Sequence, residues 1–170
     1  MDIAPEMRAR VAQLLGRPAR GLQDVITSAT GDPLVIRVAS LVDDKPFPTL
    51  YWLVDPDLCY RIDQAEAGGL IRQFQQRIDE TPALIAAMSE DHATYIADRD
   101  SFLEPEQRSA LSELGFGEVL ASKGVGGIAD FSRIRCLHTW YGAHLVRPNT
   151  IGCMLDEWWA EQATQSSHPS

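Results

Sequence analysis

The sequence has few cysteines, few lysines and no long apolar run. Its three cysteines, Cys59, Cys136 and Cys153, are an odd number at irregular spacing. That pattern argues against a secreted disulfide framework and favours a reducing compartment. No apolar run approaches the roughly 18 residues that a membrane-spanning helix requires, and the first residues lack the basic and apolar regions of a signal peptide. We therefore expect a cytoplasmic protein that does not enter a membrane.

The charge is strongly acidic, and the basic residues are almost all arginine. A formal net charge of −9 repels a phosphate backbone on average, which argues against general nucleic-acid binding. Only Lys45 and Lys123 are lysines. The planar fork of arginine suits bidentate recognition of carboxylate or phosphate. A genome rich in G and C, which favours arginine codons, explains the same bias.

The length fits one domain. A chain of 170 residues can bury about 70% of the surface that its unfolded form exposes, so it needs neither a disulfide nor a metal to fold. No internal repeat and no linker interrupts the sequence. We expect a single domain over residues 1–164 and a disordered tail over residues 165–170.

Proline, glycine and capping residues divide the chain into predicted elements. A helix begins at Pro5 and ends at Gly16, two β-branched runs around Gly31-Asp32-Pro33 predict a hairpin, and Thr49 to Val54 predicts a third strand. The remaining elements are predicted helices: Pro56 to Asp79 with a break at Gly68-Gly69, one opened by Thr81-Pro82, one between Pro105 and Gly115, Phe131 to Val146, and one capped by Asn149 or Thr150 that runs through Trp159. The predicted fold is α+β, a three-stranded antiparallel sheet with five or six helices packed on one face.

The segment from Lys123 to Gly152 carries most of the candidate chemistry. Gly124, Gly126 and Gly127 form a glycine-rich loop ahead of a predicted helix N-terminus, and Arg133 and Arg135 add two guanidinium groups. Free backbone N–H groups, a positive helix dipole and arginine forks together favour a phosphate or carboxylate site. A hinge loop with solvated arginines is the competing interpretation. The loop matches neither the Walker pattern nor the dinucleotide fingerprint.

The same segment contains candidate catalytic residues, Cys136, His138 and His144. On the predicted helix His138 lies within an apolar stripe, whereas Cys136 and His144 lie on a mixed stripe that could face a cleft. Together with Cys153 these residues are zinc-type ligands. On a helix, however, Cys136 and His138 lie about 200° apart, which disfavours a metal site. We assign no metal ligand and predict no cofactor, with zinc as an alternative and a Cys–His nucleophile pair as a further one.

Two other helices carry candidate binding residues. His92, Tyr95 and Arg99 share one helix face that could add polar groups to the same cleft, as could Asn149 further along the chain. The competing interpretation is an ordinary half-buried helix flank. In the last helix an apolar stripe ends at Trp158 and Trp159; it packs on the core or, alternatively, forms a homodimer or protein-partner contact.

Several of these strings together resemble a known family. They are Phe47-Pro48-Thr49-Leu50-Tyr51-Trp52-Leu53, the His92–Tyr95–Arg99 helix, the glycine loop, and Arg135-Cys136-Leu137-His138 with Ala143-His144. From about Leu15 to Gly152 the chain is similar to the bacterial domain-of-unknown-function family 501. The resemblance implies a cytoplasmic bacterial protein and no established activity.

The sequence therefore supports three hypotheses about function. The first is binding, with or without turnover, of a small anionic metabolite such as a phosphate or nucleotide, held by the loop and the arginines. The second is a non-enzymatic adaptor or regulatory protein that acts through the Trp158/Trp159 helix. The third is a zinc-binding protein.

Overall fold

The structure, a computed structural model, describes residues 2–167 and confirms the α+β class. These residues form eight α-helices and five strands, more helices than the five or six predicted. The helices are α1 Pro5–Leu15, α2 Pro56–Ala67, α3 Leu70–Asp79, α4 Pro82–Ser101, α5 Pro105–Glu113, α6 Gly117–Ser122, α7 Leu137–Val146 and α8 Thr150–Ser166. The strands are β1 Leu22–Thr27, β2 Pro33–Val38, β3 Leu41–Val42, β4 Lys45–Pro46 and β5 Tyr51–Leu53.

The main sheet is antiparallel, with strand order β1-β2-β5, as the sequence predicted. Central strand β2 pairs Val35 with both Ile26 and Leu53, and pairs Ile36 with Val25 and Trp52. Strands β3 and β4 form a separate two-stranded hairpin, which was not predicted.

The sheet is covered on both faces, not on one as expected. Val35 belongs to the large core made with α2, α3, α4, α7 and α8. Its neighbour Ile36 faces the opposite way, into a smaller core closed by Val11 of α1. Side chains alternate between the faces of a strand, so β2 is buried on both sides and has few polar positions.

Helix boundaries follow the capping residues. Gly16 ends α1 with φ of 72°, a left-handed conformation that glycine adopts without steric cost. The Asp55 side chain accepts a hydrogen bond from Leu58 N, and Asn149 accepts one from Gly152 N, so each caps its helix as predicted. Since these caps are local interactions, the sequence alone identifies them.

The prediction of a helix from Phe131 to Val146 was wrong for the residues before Leu137. Residues 131–136 are not helical, and α7 begins at Leu137 with Cys136 as an extended N-cap. Distant side chains satisfy the backbone instead: Gln75 bonds to Ser132 O and Ile134 N, and Glu66 accepts from Leu137 N. Tertiary hydrogen bonds have therefore replaced the first turns of the expected helix.

Two further differences concern segments near the end of the chain. Short helix α6 was not predicted, and α8 runs past Trp159 to Ser166, so Gln165 and Ser166 are helical where a disordered tail was expected. The rest of that predicted tail, apart from Ser167, lies outside the described residues. Within residues 2–167 no helix combines the length and the apolar character needed to cross a membrane.

Candidate functional site

Cys136 and His138 meet at the start of α7. Because Cys136 has extended backbone angles of −154° and 123°, the helical separation of about 200° does not apply to it. Its Sγ lies 3.6 Å from Nδ1 of His138. Both side chains are partly exposed, so the pair is accessible from solvent.

Helix α2 supplies two carboxylates to the same place. Asp63 Oδ1 lies 2.8 Å from Nε2 of His138, and Glu66 Oε1 lies 3.4 Å from its Nδ1. Sequence reasoning missed both residues. A signal was present, because Cys59, Asp63 and Glu66 are spaced i, i+4 and i+7 and so share a helix face beside the apolar stripe. Nothing local connects that face to a cysteine some 70 residues further on.

The surroundings shift the pKa values of Cys136 and His138 in opposite directions. The hydrogen bond with Cys136 raises the pKa of His138 to about 9; Glu66 and Asp63 add to the rise and burial opposes it. Burial by itself would raise the pKa of the Cys136 thiol. Hydrogen bonding from His138 and the Thr139 backbone outweighs burial, and the pKa of the thiol lies below its ordinary value. The arrangement therefore favours a thiolate beside an imidazolium ring.

This geometry offers three donor atoms to a single ion. Cys136 Sγ, His138 Nδ1 and an oxygen of Glu66 all lie within 4.8 Å of one another. Of the three donor residues, His138 lines a cavity of about 300 Å³; its other lining residues are Thr139 of α7 and Thr49, Tyr51, Trp52 and Leu53. A thiolate, an imidazole and a carboxylate beside a cavity can hold a metal or activate a nucleophile.

The glycine loop lies close to this site but does not lead into the helix. Val125–Gly127 is a 3₁₀ turn, with Gly127 N bonded to Gly124 O and Gly124 N bonded to Ile128 O. Gly126, at φ of 72°, packs so closely against Thr139 that a Cβ there would lie 2.9 Å from the Thr139 hydroxyl. The loop is therefore a packing element whose amides are largely used internally.

The two predicted anion-binding arginines are on the surface. Arg133 lies 3.8 Å from Asp79 in an exposed ion pair, and Arg135 is also exposed. Arg133 lines an open groove together with Arg72 and Glu66. Arg133 therefore shares a groove with Glu66 of the cluster, and neither arginine lines the cavity beside His138.

His92, Tyr95 and Arg99 are in the core, where they bind backbone groups. His92 accepts from Val125 N through Nδ1, and Tyr95 accepts from Leu50 N. Arg99 donates to Pro48 O, Leu120 O and Lys123 O. None of the three lines the cavity beside His138.

The buried state of His92 is enforced by its neighbours. Its ring stacks on Phe131 and meets Trp140 edge-on, while Nε2 has no hydrogen-bond partner among the described residues. Desolvation lowers its pKa to about 4, with only a small opposing effect from Asp91. His92 is therefore a neutral core histidine.

His144 and Asn149 connect α7 to α8. His144 Nε2 lies 2.8 Å from Asp156, and its Nδ1 accepts from Asn149 N. The Asn149 side chain donates to Trp140 O and caps α8. Both residues are occupied by this junction, on the opposite end of α7 from Cys136.

The apolar residues of α8 pack mainly on the chain's own core. Trp158 and Trp159 are partly buried against the large core, with Trp159 edge-on to Tyr141 and the Arg61 guanidinium 4.0 Å from its ring. Cys153 is exposed on the same helix and is not part of the Cys136 cluster.

Comparison with known proteins gives a family and no activity. The sequence pattern of the family described as "Protein of unknown function (DUF501)" matches residues 25–157, which include the whole Cys136 cluster. No curated protein matches the chain, and no solved structure does.

Proposed function

The chain belongs to the DUF501 family, whose description names no activity, and from the site we propose that the protein binds a zinc ion through Cys136, His138 and Glu66. Thiolate, imidazole and carboxylate are the three donor types that zinc takes from proteins. This assignment replaces the ligand set considered from sequence, because His144 and Cys153 lie elsewhere.

The spacing of the donor atoms carries the proposal. With usual zinc bond lengths and a tetrahedral angle, a sulfur and a nitrogen ligand lie about 3.6 Å apart and a nitrogen and an oxygen ligand about 3.4 Å apart. The observed separations are 3.6 Å for Cys136 Sγ to His138 Nδ1 and 3.4 Å for His138 Nδ1 to Glu66 Oε1. Two of the three donor separations therefore match those expected around a zinc ion, and the third, from Cys136 Sγ to the Glu66 oxygen, is within 4.8 Å.

Asp63 supports the same proposal from outside the ligand set. Metal-binding histidines usually donate their second ring N–H to a carboxylate, which fixes the tautomer and the ring orientation. His138 Nε2 lies 2.8 Å from Asp63, leaving Nδ1 directed at Cys136 and Glu66.

Three protein ligands leave the fourth zinc position for water or a substrate, as in catalytic zinc sites. Such an ion lowers the pKa of bound water to about 7 and polarises oxygen atoms of a substrate. The cavity lined by Tyr51 and Trp52 beside His138 provides room for that substrate. We infer metal-assisted chemistry on a small molecule as the function.

Metal analysis of protein purified without chelators tests the binding. We expect about one zinc per chain, and loss of more than about a hundredfold in affinity for Cys136→Ser and His138→Gln in competition with a fluorescent chelator. Cobalt substitution should give the absorption of a thiolate–cobalt bond, which Cys136→Ser removes. Retention of zinc by Cys136→Ser at unchanged affinity would contradict the proposal.

The chain offers matched controls for the cysteine and histidine ligands. Cys153→Ser changes an exposed cysteine outside the cluster, and His144→Gln changes a histidine that also pairs with a carboxylate. Both variants should bind zinc like the unmodified protein, measured at a temperature where His144→Gln is folded.

A second candidate function uses the same atoms without a metal. The order Cys136 Sγ, His138 and Asp63, with separations of 3.6 and 2.8 Å, is that of a thiol nucleophile, its base and the group that orients the base. In this case the Cys136 thiol would give its proton to His138 and the resulting thiolate would be the nucleophile.

Alkylation by iodoacetamide separates the two functions. In metal-free protein Cys136 should react faster at neutral pH than Cys153, whose pKa is raised by burial and by acidic neighbours. If the site binds zinc, adding one equivalent should strongly slow the alkylation of Cys136. An unchanged rate of alkylation at saturating zinc would favour the second function, in which Cys136 is a nucleophile and no metal is bound.

The anion-binding hypothesis stays a prediction. Arg133 and Arg72 line the groove beside Glu66 together with Asp79 and Glu80, so an anion bound there would replace the exposed contact between Arg133 and Asp79. A thermal-shift screen with phosphate, nucleotides and polyphosphate tests it. Absence of a stabilisation above about 1 kcal/mol at saturating ligand would refute it.

The adaptor hypothesis also stays a prediction. Trp158 and Trp159 retain some exposure, and the neighbouring residues of α8 are largely exposed. A comparison of captured partners for the full chain and for Trp158→Ala tests whether this face binds a protein.

A further inference from the structure

A second cavity lies on the other side of the sheet and shares only Trp52 with the cavity beside His138. It measures about 240 Å³ and is enclosed by the end of α1, the connector to β1, the outer face of the sheet and the β3–β4 hairpin. Its walls include Ile36, Phe47 and Trp52. This volume is slightly below the roughly 300–1,000 Å³ usual for ligand pockets.

The rim of this cavity is positive in an otherwise acidic protein. Arg17, Arg20 and Lys45 line it together with a single carboxylate, Asp43. Asp43 is bound to Arg20 at 2.8 Å, whereas no ion pair of Arg17 or Lys45 occurs within residues 2–167. With a net charge of −9 for the whole chain, two uncompensated cations at one apolar cavity form a local anion-attracting site.

The aromatic wall is held in place. Trp52 Nε1 donates to Thr49 O at 2.9 Å, which fixes the indole plane. The Arg17 guanidinium carbon lies 5.6 Å from the centre of that ring, within the distance of a cation–π contact. Arg17 is therefore positioned over the aromatic surface, and its N–H groups remain available to an anion.

A tight hairpin turn supplies Lys45. Asp43 and Asp44 both have positive φ, 51° and 60°, as the two central residues of a two-residue hairpin turn require, and aspartate is among the residues that favour this position. This turn places Asp43 on Arg20 and Lys45 at the cavity rim.

We propose that this cavity binds a small anion with a flat apolar body, such as an aromatic phosphate or carboxylate. The ring packs against Trp52 and Phe47, and the anionic group pairs with Arg17 and Lys45. The cavity contains none of the proposed zinc ligands and shares only Trp52 with the cavity beside His138. Its two arginines precede the residues matched by the family pattern.

Titration with 1-naphthyl phosphate tests the proposal, because the four tryptophan indole N–H groups give separate NMR signals. The Trp52 signal, identified by its absence in Trp52→Phe, should shift on titration while those of Trp140, Trp158 and Trp159 stay in place. Neutral 1-naphthol and inorganic phosphate should each bind at least about tenfold more weakly, since 1-naphthol lacks the anionic group and phosphate lacks the aromatic ring.

Variants define the charge requirement. Arg17→Gln combined with Lys45→Gln should weaken binding of 1-naphthyl phosphate by about tenfold or more. Arg8→Gln, an exposed arginine of α1 that does not line the cavity, should leave it unchanged. Equal thermal midpoints for the three proteins show that the fold is intact.

Four results would overturn the inference. They are no binding of 1-naphthyl phosphate up to about 1 mM, equal binding of 1-naphthol, unchanged affinity in the double variant, and signal changes confined to other indoles.

Discussion

The two ends of α7 use the same pair of groups for different purposes. At each end a histidine lies 2.8 Å from an aspartate of another helix: His138 from Asp63, and His144 from Asp156. The second ring nitrogen makes the difference. In His144 it accepts a backbone N–H, from Asn149, whereas in His138 it faces the thiol of Cys136 and the carboxylate of Glu66.

A histidine whose two ring nitrogens are bonded to an aspartate and to a backbone N–H, as in His144, connects two helices. A histidine with one nitrogen directed at a thiol and a carboxylate remains able to bind a metal or move a proton. Carboxylate pairing alone does not distinguish the two cases, because both residues have it. The partner of the second nitrogen is therefore the useful criterion for a functional histidine in this fold.

The largest expected effect on stability is at the end of α7 that carries His144. A Cβ on Gly152 would overlap the ring of His144, which is held by two hydrogen bonds and cannot move aside. Gly152→Ala should lower the free energy of unfolding by about 3 kcal/mol, despite the better helix propensity of alanine. Gly117→Ala in α6, where nothing lies within 4 Å, is the control and should be neutral or slightly stabilising. Urea denaturation measures both; equal stabilities would show that His144 does not fix the junction.

His92 extends the comparison to a histidine with one nitrogen bonded and the other buried without a partner in the described part of the chain. Its pKa falls from 6.5 to about 4 on folding, so the unfolded chain binds a proton in this range that the folded chain does not. The stability due to this residue is present above pH 6.5 and is lost as the pH falls towards 4.

At about pH 4.5 this loss should amount to roughly 2.5 kcal/mol relative to neutral pH. In His92→Gln, which keeps an acceptor for Val125 N but does not titrate, the decline in stability with acid should be smaller by that amount. Parallel pH profiles for the two proteins would argue against the lowered pKa.

The two aspartates provide the direct test of the comparison. Asp63→Asn should weaken zinc binding by about tenfold to a hundredfold and change stability little, since Asp63 is largely exposed. Asp156→Asn should lower stability by about 1 kcal/mol, because it weakens the bonds to His144 and Tyr141, and should leave zinc binding intact. Chelator competition measures the zinc affinity of both variants, and urea denaturation measures their stability. An equal loss of zinc affinity in the two variants would contradict the distinction between His138 and His144.

The smallest expected effect concerns the surface arginines. Arg133 makes only a 3.8 Å exposed ion pair with Asp79, and Arg135 is exposed. Replacing both by glutamine should change stability by less than about 0.5 kcal/mol. A loss of phosphate or nucleotide binding in this variant, at unchanged stability, would support the anion hypothesis.

Elements bounded by local signals could be predicted from the sequence. The helix starts at Pro5, Pro56 and Pro82, the left-handed end at Gly16 and the cap at Asn149 depend on residues within a few positions of each other. The three antiparallel strands were predictable for the same reason, because β-branched runs and a turn specify a hairpin locally.

The candidate site could be predicted only in part. Cys136 and His138 were identified as candidate catalytic residues, but they were predicted to lie on opposite sides of one helix. That prediction was wrong because the non-helical course of residues 131–136 depends on Gln75 and Glu66. Asp63 and Glu66 reach the site only through the packing of α2 against α7, and Glu66 is 71 positions from Leu137. Periodicity within one segment contains no information about such contacts.

The buried polar face of α4 also has a consequence for hydrogen exchange. Leu50 N and Val125 N lie outside regular helices and strands or at their ends, yet they donate to Tyr95 and His92 in the core. Arg99 fixes the carbonyls of the same two segments, at Pro48 and Lys123. Because these partners are side chains of one long helix, the Leu50 and Val125 amide protons become accessible to solvent only when α4 separates from them. Two amides in irregular segments should therefore exchange as slowly as those in the centre of β2.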